Sequence, residues 1–225
     1  MTRGLSLTMA AVLGAGALTG AQDAPFRYET QKPDAYAAER GRVVAGALGV
    51  SAWPRTSELY APPPVSRALL RDAGRVADEV RACTTVSIEG EAWPQCTWSW
   101  KAAKGERTPV GYDWLDLQIT QAPSSRAAHE SLVASLADNM LPTERLEAQY
   151  KAAARPENLG TVALETRSPQ GGDVTLSFVR GNLVFRIRGY GALAGEARPL
   201  AARLDESVLN QQPLTIEELR ARRAK

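Results

Sequence analysis

Hydrophobic and polar positions repeat along the chain with two different periods, which predict separate helices and strands. Apolar residues from Val65 to Val80 recur at helical spacing, with charged residues between them. This pattern predicts an amphipathic helix with one buried face. Leu115, Leu117 and Ile119 instead alternate with polar residues, which predicts a half-buried strand.

A β-hairpin is the clearest local structure in the sequence. Two runs of alternating character, 174–179 and 183–188, flank Gly181-Asn182, a two-residue loop that hairpins favour. The register that separates apolar from polar side chains pairs Arg180 with Leu183, Phe178 with Phe185, Leu176 with Ile187, Ser177 with Arg186 and Thr175 with Arg188. A slip of one residue would mix the two faces, so the register is well specified.

The remaining elements complete a mixed domain. Further strands are predicted over 83–88, 96–101 and 161–167, and further helices over 34–48, after Pro123 and over 143–154. A closing helix, with Pro199 in its first turn or at a kink, has this buried stripe: Leu193, Ala197, Leu200, Ala201, Leu204 and Val208. This order predicts an α+β fold, with an antiparallel sheet of about six strands and helices packed on one face.

The two ends of the chain differ from this domain. Arg3, the apolar run from Leu5 to Leu18 and Thr19-Gly20-Ala21 have the layout of a secretory signal peptide. The run is shorter than the ~20 residues of a membrane span. We therefore predict a signal peptide at 1–21 and no transmembrane segment in the mature chain, which is exported to a periplasmic or extracellular location.

The mature chain divides into three predicted parts. Residues 22–64 form an N-terminal arm or linker with a short helix, 65–210 a single α+β domain, and 211–225 a basic helical tail. Thr215 and Glu218 have the spacing of a capping box, which predicts where the tail helix begins.

Cys83 and Cys96 are the two cysteines of the chain and lie beside a tryptophan-rich stretch, EAWPQCTWSW. A pair spaced 13 apart with no other cysteine or histidine nearby fits neither a zinc site nor a Cys-x-x-Cys redox motif. In an exported chain it predicts a disulfide that staples the domain. In an extended strand Cys96, Trp98 and Trp100 share one face, so both rings are expected to pack with a buried sulfur.

Candidate chemistry is sparse. Trp93, beside Pro94 in a predicted turn, is expected to be exposed and is a candidate ligand contact. His129, the one histidine, lies beside a buried helical stripe and is expected to be a structural or a surface residue rather than a catalytic one. Gly189-Tyr190-Gly191 follows a hairpin strand rather than a buried parallel one, which argues against a dinucleotide site. We expect no catalytic residues, no cofactor and no metal.

Arg186 and Arg188 share the polar face of the hairpin with Thr175 and Ser177. With Arg167 on a neighbouring strand they would form a basic patch that binds an anionic group. The alternatives are a solvated sheet face, or arginines that pair with acids of the N-terminal arm.

The net charge of the chain indicates whether nucleic acid is a partner. The chain has 27 basic and 25 acidic side chains, and Arg3 leaves with the signal peptide. So small a net charge gives no long-range field to hold a polyanion, which argues against nucleic acid as a partner.

Six short stretches follow one another along the chain: Cys83, Cys96-Thr97-Trp98, 115–119, Leu159-Gly160, 178–189 and 200–209. Together they resemble uncharacterised extracytoplasmic domains of bacterial lipoproteins and membrane sensors. The resemblance spans about residues 65–210 and lacks the lipid-attachment cysteine of many such proteins. It implies an α+β fold with a binding or sensing role, and it carries no catalytic residues.

These observations favour an exported, non-enzymatic domain that binds an envelope protein, a glycan or another extracellular ligand. One alternative is a structural or assembly protein that docks through its arm and tail. The other is a secreted hydrolase, for which the single histidine is a narrow basis.

Overall fold

A computed structural model describes residues 35–49, 58–102, 113–138, 142–167 and 172–223, so the predicted signal peptide lies outside the described residues. The helices are α1 Ala35–Leu48, α2 Ser125–Ala137, α3 Thr143–Ala152, α4 Ala197–Leu209 and α5 Ile216–Arg223. The strands are β1 Val76–Ile88, β2 Glu91–Ala102, β3 Trp114–Gln121, β4 Val162–Arg167, β5 Asp173–Arg180 and β6 Leu183–Tyr190.

The six strands form one antiparallel sheet in the order β1-β2-β3-β6-β5-β4, which confirms the predicted α+β class. The hairpin register is confirmed pair by pair, including Phe178 opposite Phe185 and Ser177 opposite Arg186. Gly181 has a φ of 54°, as the first loop residue of a type II′ turn requires. A side chain there would also meet the carbonyl oxygen of Glu58, 2.7 Å from the position of a Cβ.

Helices pack on both faces of the sheet, so the prediction that they share one face is wrong. The apolar stripe of α4 packs against a core that includes Trp98, Leu176 and Phe178. Side chains from α1, α2, α3 and α5 pack on the opposite face, in a second core that includes Trp93 and Val179. Period-2 alternation explains the two cores, because Phe178 and Val179 are neighbours in β5 and point to opposite faces.

The helix predicted between Val65 and Val80 is absent. This stretch contains two short 3-10 turns, Arg67–Leu69 and Ala73–Arg75, and β1 begins at Val76. Residues 77–85 of β1 are exposed, so no alternation of buried and polar positions marks the first half of the strand. Its second half contains the strand predicted over 83–88. Pairing with β2 decides its conformation.

The described parts of the N-terminal arm and of the C-terminal tail both pack on the domain. Leu59 and Leu214 form an isolated antiparallel bridge that joins the N-terminal arm to the C-terminal tail. Asn182, fully buried in the hairpin loop, accepts a bond from the backbone N–H of Tyr60 at 2.6 Å and donates to the carbonyl of Ala122 at 3.1 Å.

The start of α5 confirms the predicted capping box. The Thr215 backbone N–H donates to the Glu218 carboxylate, and the Glu218 N–H donates to the Thr215 hydroxyl. Leu219 in this helix is buried, so one face of the basic tail belongs to the second core.

The predicted disulfide is confirmed, and it joins directly opposite residues of β1 and β2, with Cα atoms 4.1 Å apart. Trp98 and Trp100 are buried on the same face as Cys96. The expectation of a buried disulfide is wrong, because Cys83 is exposed on β1 and Cys96 is only half-buried. No helix of the described ranges has the length and apolar character that crossing a bilayer requires.

Candidate functional site

Polar side chains occupy part of the sheet face on which α2 and α3 pack. Cross-strand pairing aligns them in two rows over five strands, which we call the polar face. The first row contains Thr97, Gln118, Arg186 and Ser177, and the second contains Ser99, Asp116, Arg188, Thr175 and Thr166. The predicted grouping of Arg186 and Arg188 with Thr175 and Ser177 is therefore confirmed as geometry.

Arg186 lies where the polar face passes under α3. Its side chain borders a cavity of about 70 Å³. The other lining residues are Leu136, Gln149, Tyr150, Leu164, Thr166, Thr175 and Ser177. One water needs roughly 10–15 Å³ of such space, so the cavity has room for a carboxylate or phosphate group beside the guanidinium.

The guanidinium of Arg186 is not neutralised by the described residues. Its Nε is buried and has no hydrogen-bond partner there. None of the ion pairs between described side chains includes Arg186. Burial, and then the positive charge of Arg188, lower the pKa of Arg186. An anion in the cavity would offset both effects.

Arg188 forms the exposed side of the same patch. Its guanidinium lies 5.4 Å from the centre of the Trp114 ring, which is half-buried, and it stands directly opposite Asp116 on β3. Cation–π contact holds Arg188 over the ring, so the outer part of the site presents a flat aromatic and cationic surface.

Arg167 does not belong to this patch, contrary to the prediction. It pairs with Val174, whose side chain lies in the core beneath α4, and therefore points to the opposite face of the sheet. Its Nε donates to the buried carboxylate of Glu165, which also binds Arg198. The adjacent residue, Thr166, supplies the polar β4 side chain of the site instead.

Trp93 is fully buried, so the expectation that it is exposed is wrong. The turn before β2 is at Glu89 and Gly90, and Pro94 lies inside the strand. The Trp93 ring packs in the core on the α2 side, beneath the guanidinium of Arg223 at 4.4 Å. This position makes Trp93 a core residue and an anchor for α5.

His129 is buried and hydrogen-bonded, so it has the structural rather than the surface position of the two that the sequence left open. Nδ1 lies 2.7 Å from the carbonyl oxygen of Ser125, which only accepts, so Nδ1 carries the proton. Nε2 lies 3.0 Å from the hydroxyl oxygen of Thr161. Burial lowers the pKa of His129 and favours the neutral ring. These contacts join α2 to the residue that precedes β4.

A larger groove, of about 540 Å³, runs between the end of α1 and residues 155–163. Its cation, Arg155, donates to the backbone carbonyls of Ala47 and Tyr150. Because that guanidinium already bonds to the protein, the groove is a weaker candidate site than the cavity at Arg186.

Comparison of the chain with protein-family models, curated proteins and solved structures gives no match. The functional argument therefore rests on the residues of the site. The alternation of side chains in the hairpin was sufficient to predict four residues of the polar face: Arg186, Arg188, Thr175 and Ser177. Gln149, Tyr150 and Thr166 were missed, because they come from separate elements and carry no motif.

Proposed function

We propose that this chain is an exported, non-enzymatic domain that binds a ligand through an anionic group held by Arg186. The observation that carries the proposal is the buried, unpartnered Nε of Arg186 beside a polar cavity. Arg186 as a whole is half-buried, and the part of a cation that is removed from water is costly unless it is paired. A ligand carboxylate or phosphate would provide that pairing.

The geometry of the guanidinium favours a planar, two-oxygen acceptor. A carboxylate that binds side-on accepts from Nε and one Nη at the same time. Hydroxyl groups of Thr166, Thr175 and Ser177 lie around the same cavity and would bond to the remaining lone pairs. The site is small, so it would hold only the charged end of a larger molecule.

The rest of the ligand would extend over the outer part of the polar face. Trp114 and Arg188 offer an aromatic ring and a second cation there. This combination suits an acidic glycan of the cell envelope, or an envelope protein that presents an acidic side chain or a carboxyl terminus.

Export is supported by two independent features. The first 21 residues have the layout of a signal peptide. The Cys83–Cys96 disulfide would persist in an oxidising compartment. Both features favour an extracytoplasmic ligand.

Isothermal titration of the mature chain with acetate, malonate, glucuronate and inorganic phosphate tests the proposal. We expect saturable binding of at least one of these anions to the wild type, and its loss in Arg186→Gln. Arg145→Gln is the matched control, because it removes the same charge from an exposed position on α3. Binding that is absent from the wild type, or unchanged in Arg186→Gln, would refute the site.

A further inference from the structure

β1 is an edge strand whose outer side has no partner among the described elements. It lies at the end of the sheet order and pairs only with β2. Residues 77–85 are exposed, and Val80, at 58% exposure, is one of two exposed large hydrophobic residues in the described chain. An exposed edge of this length is a template for pairing with another strand.

The hydrogen-bond pattern shows which β1 groups face outward. The N–H of Ala102 donates to the carbonyl of Asp113, so even-numbered residues of β2 bond to β3 and odd-numbered ones bond to β1. The β1 partners of those odd-numbered residues are Asp78, Val80, Ala82 and Thr84. The N–H and C=O groups of Glu79, Arg81, Cys83 and Thr85 therefore point away from the sheet.

The disulfide gives an independent check on this assignment. Cys83 and Cys96 have Cα atoms 4.1 Å apart. That spacing matches a non-hydrogen-bonded antiparallel pair, at about 4.5 Å, rather than a hydrogen-bonded one, at about 5.5 Å. Cys83 thus directs its backbone groups outward, as the ladder predicts.

When two β1 strands pair antiparallel about a two-fold axis, each residue whose backbone N–H and C=O point outward must lie opposite another such residue. A register centred on Val80 places Glu79 of each copy opposite Arg81 of the other, and Val80 opposite Val80. Registers centred on Glu79 or Arg81 place like charges opposite each other, which is destabilising. A register centred on Ala82 places neither charge opposite its complement.

We infer that a second copy of this chain pairs with β1 in the register centred on Val80 and forms a two-fold dimer with a continuous sheet. Two Glu79–Arg81 pairs flank a central valine contact, and each pair exchanges two backbone hydrogen bonds. The Arg81 guanidinium lies 5.2 Å from the centre of the Trp98 ring, which holds it on the face where Glu79 of the other copy arrives. The interface does not depend on the anion site.

Sedimentation velocity of the mature chain over a wide range of concentrations tests the inference. We expect a reversible monomer–dimer equilibrium that is weakened about fivefold to tenfold by Glu79→Arg or by Arg81→Glu, because each variant places like charges opposite each other. The double variant with both substitutions restores the pairs and should recover the wild-type dissociation constant. Only the Val80-centred register predicts this recovery.

Ser87→Arg is the matched control, because Ser87 is exposed on β1 but lies beyond the paired segment. It should leave the dissociation constant unchanged. A wild type that stays monomeric at all concentrations would overturn the inference, as would a double variant as weak as the single ones. A dimer that persists on a non-reducing gel and disappears on a reducing one would also overturn the inference, because it would be linked through cysteine.

Discussion

Arg180 donates two hydrogen bonds of 2.7 Å to Asp205, one from Nε and one from Nη2, to different oxygens of the carboxylate. This pair joins the end of β5 to α4, and Asp205 also accepts from the backbone N–H of Gly160. Arg186, in the same hairpin, has no such acid among the residues that the structure describes. The contrast separates an arginine that holds the fold together from the one that we propose as the ligand contact.

Asp205→Asn should lower the free energy of unfolding by about 3 kcal/mol, because it leaves a half-buried guanidinium without its counter-charge. Urea denaturation measures the loss. Glu206→Gln, on the exposed side of α4, is the control and should change stability by less than about 0.5 kcal/mol. Equal effects of the two variants would contradict a structural role for the Arg180–Asp205 pair.

Arg186→Met, unlike Asp205→Asn, should not lower the free energy of unfolding. In buffer without small anions we expect a free energy of unfolding equal to that of the wild type, or higher by up to about 1 kcal/mol, because a desolvated cation is replaced by an apolar chain of similar length. The same urea denaturation measures it. A loss as large as that of Asp205→Asn would mean that Arg186 is part of the structural framework.

Trp93→Ala and Trp98→Ala should both destabilise the protein by about 3 kcal/mol or more, because each ring is buried in one of the two cores. The sequence alone predicted this only for Trp98. Thermal unfolding followed by circular dichroism compares them with Trp114→Ala, whose ring is half-buried. A melting temperature for Trp93→Ala close to that of Trp114→Ala would contradict the buried position.

Stability should fall as the pH drops below about 6.5, the ordinary pKa of histidine. Burial lowers the pKa of His129 in the folded chain, so the unfolded chain takes up the proton first and is favoured at lower pH. Melting temperatures between pH 8 and pH 5 measure the slope. His129 is the one histidine, so His129→Gln should flatten the slope near pH 6. An unaltered slope would assign the effect to other groups.

Replacing both cysteines by serine should lower the free energy of unfolding by about 2–3 kcal/mol, as expected for a short closed loop. Backbone amides of β1 should then exchange with solvent faster than those of β6, because β1 is paired on one side only. Hydrogen exchange of the oxidised protein and the double variant measures this. Uniform acceleration across the sheet would show that the bridge does not act locally on β1.

Local patterns were sufficient for much of the fold. The hairpin register, the capping box at Thr215 and the buried stripe of α4 depend on near neighbours in the chain, and all are confirmed. The predicted strand over 83–88 is the second half of β1, but residues 76–80 were misread as the end of a helix, because they have no buried alternation and are extended through pairing with β2.

The candidate site, like the fold, was predictable from the sequence only in part. Side-chain alternation within one hairpin places Arg186, Arg188, Thr175 and Ser177 on one face, so the sequence determined that grouping. Tertiary structure alone decided that α3 covers Arg186, that Thr166 rather than Arg167 joins it, and that Trp93 is buried. The physical reason is that periodicity fixes the direction of a side chain relative to its own strand, whereas burial and pairing depend on which distant element packs against that strand.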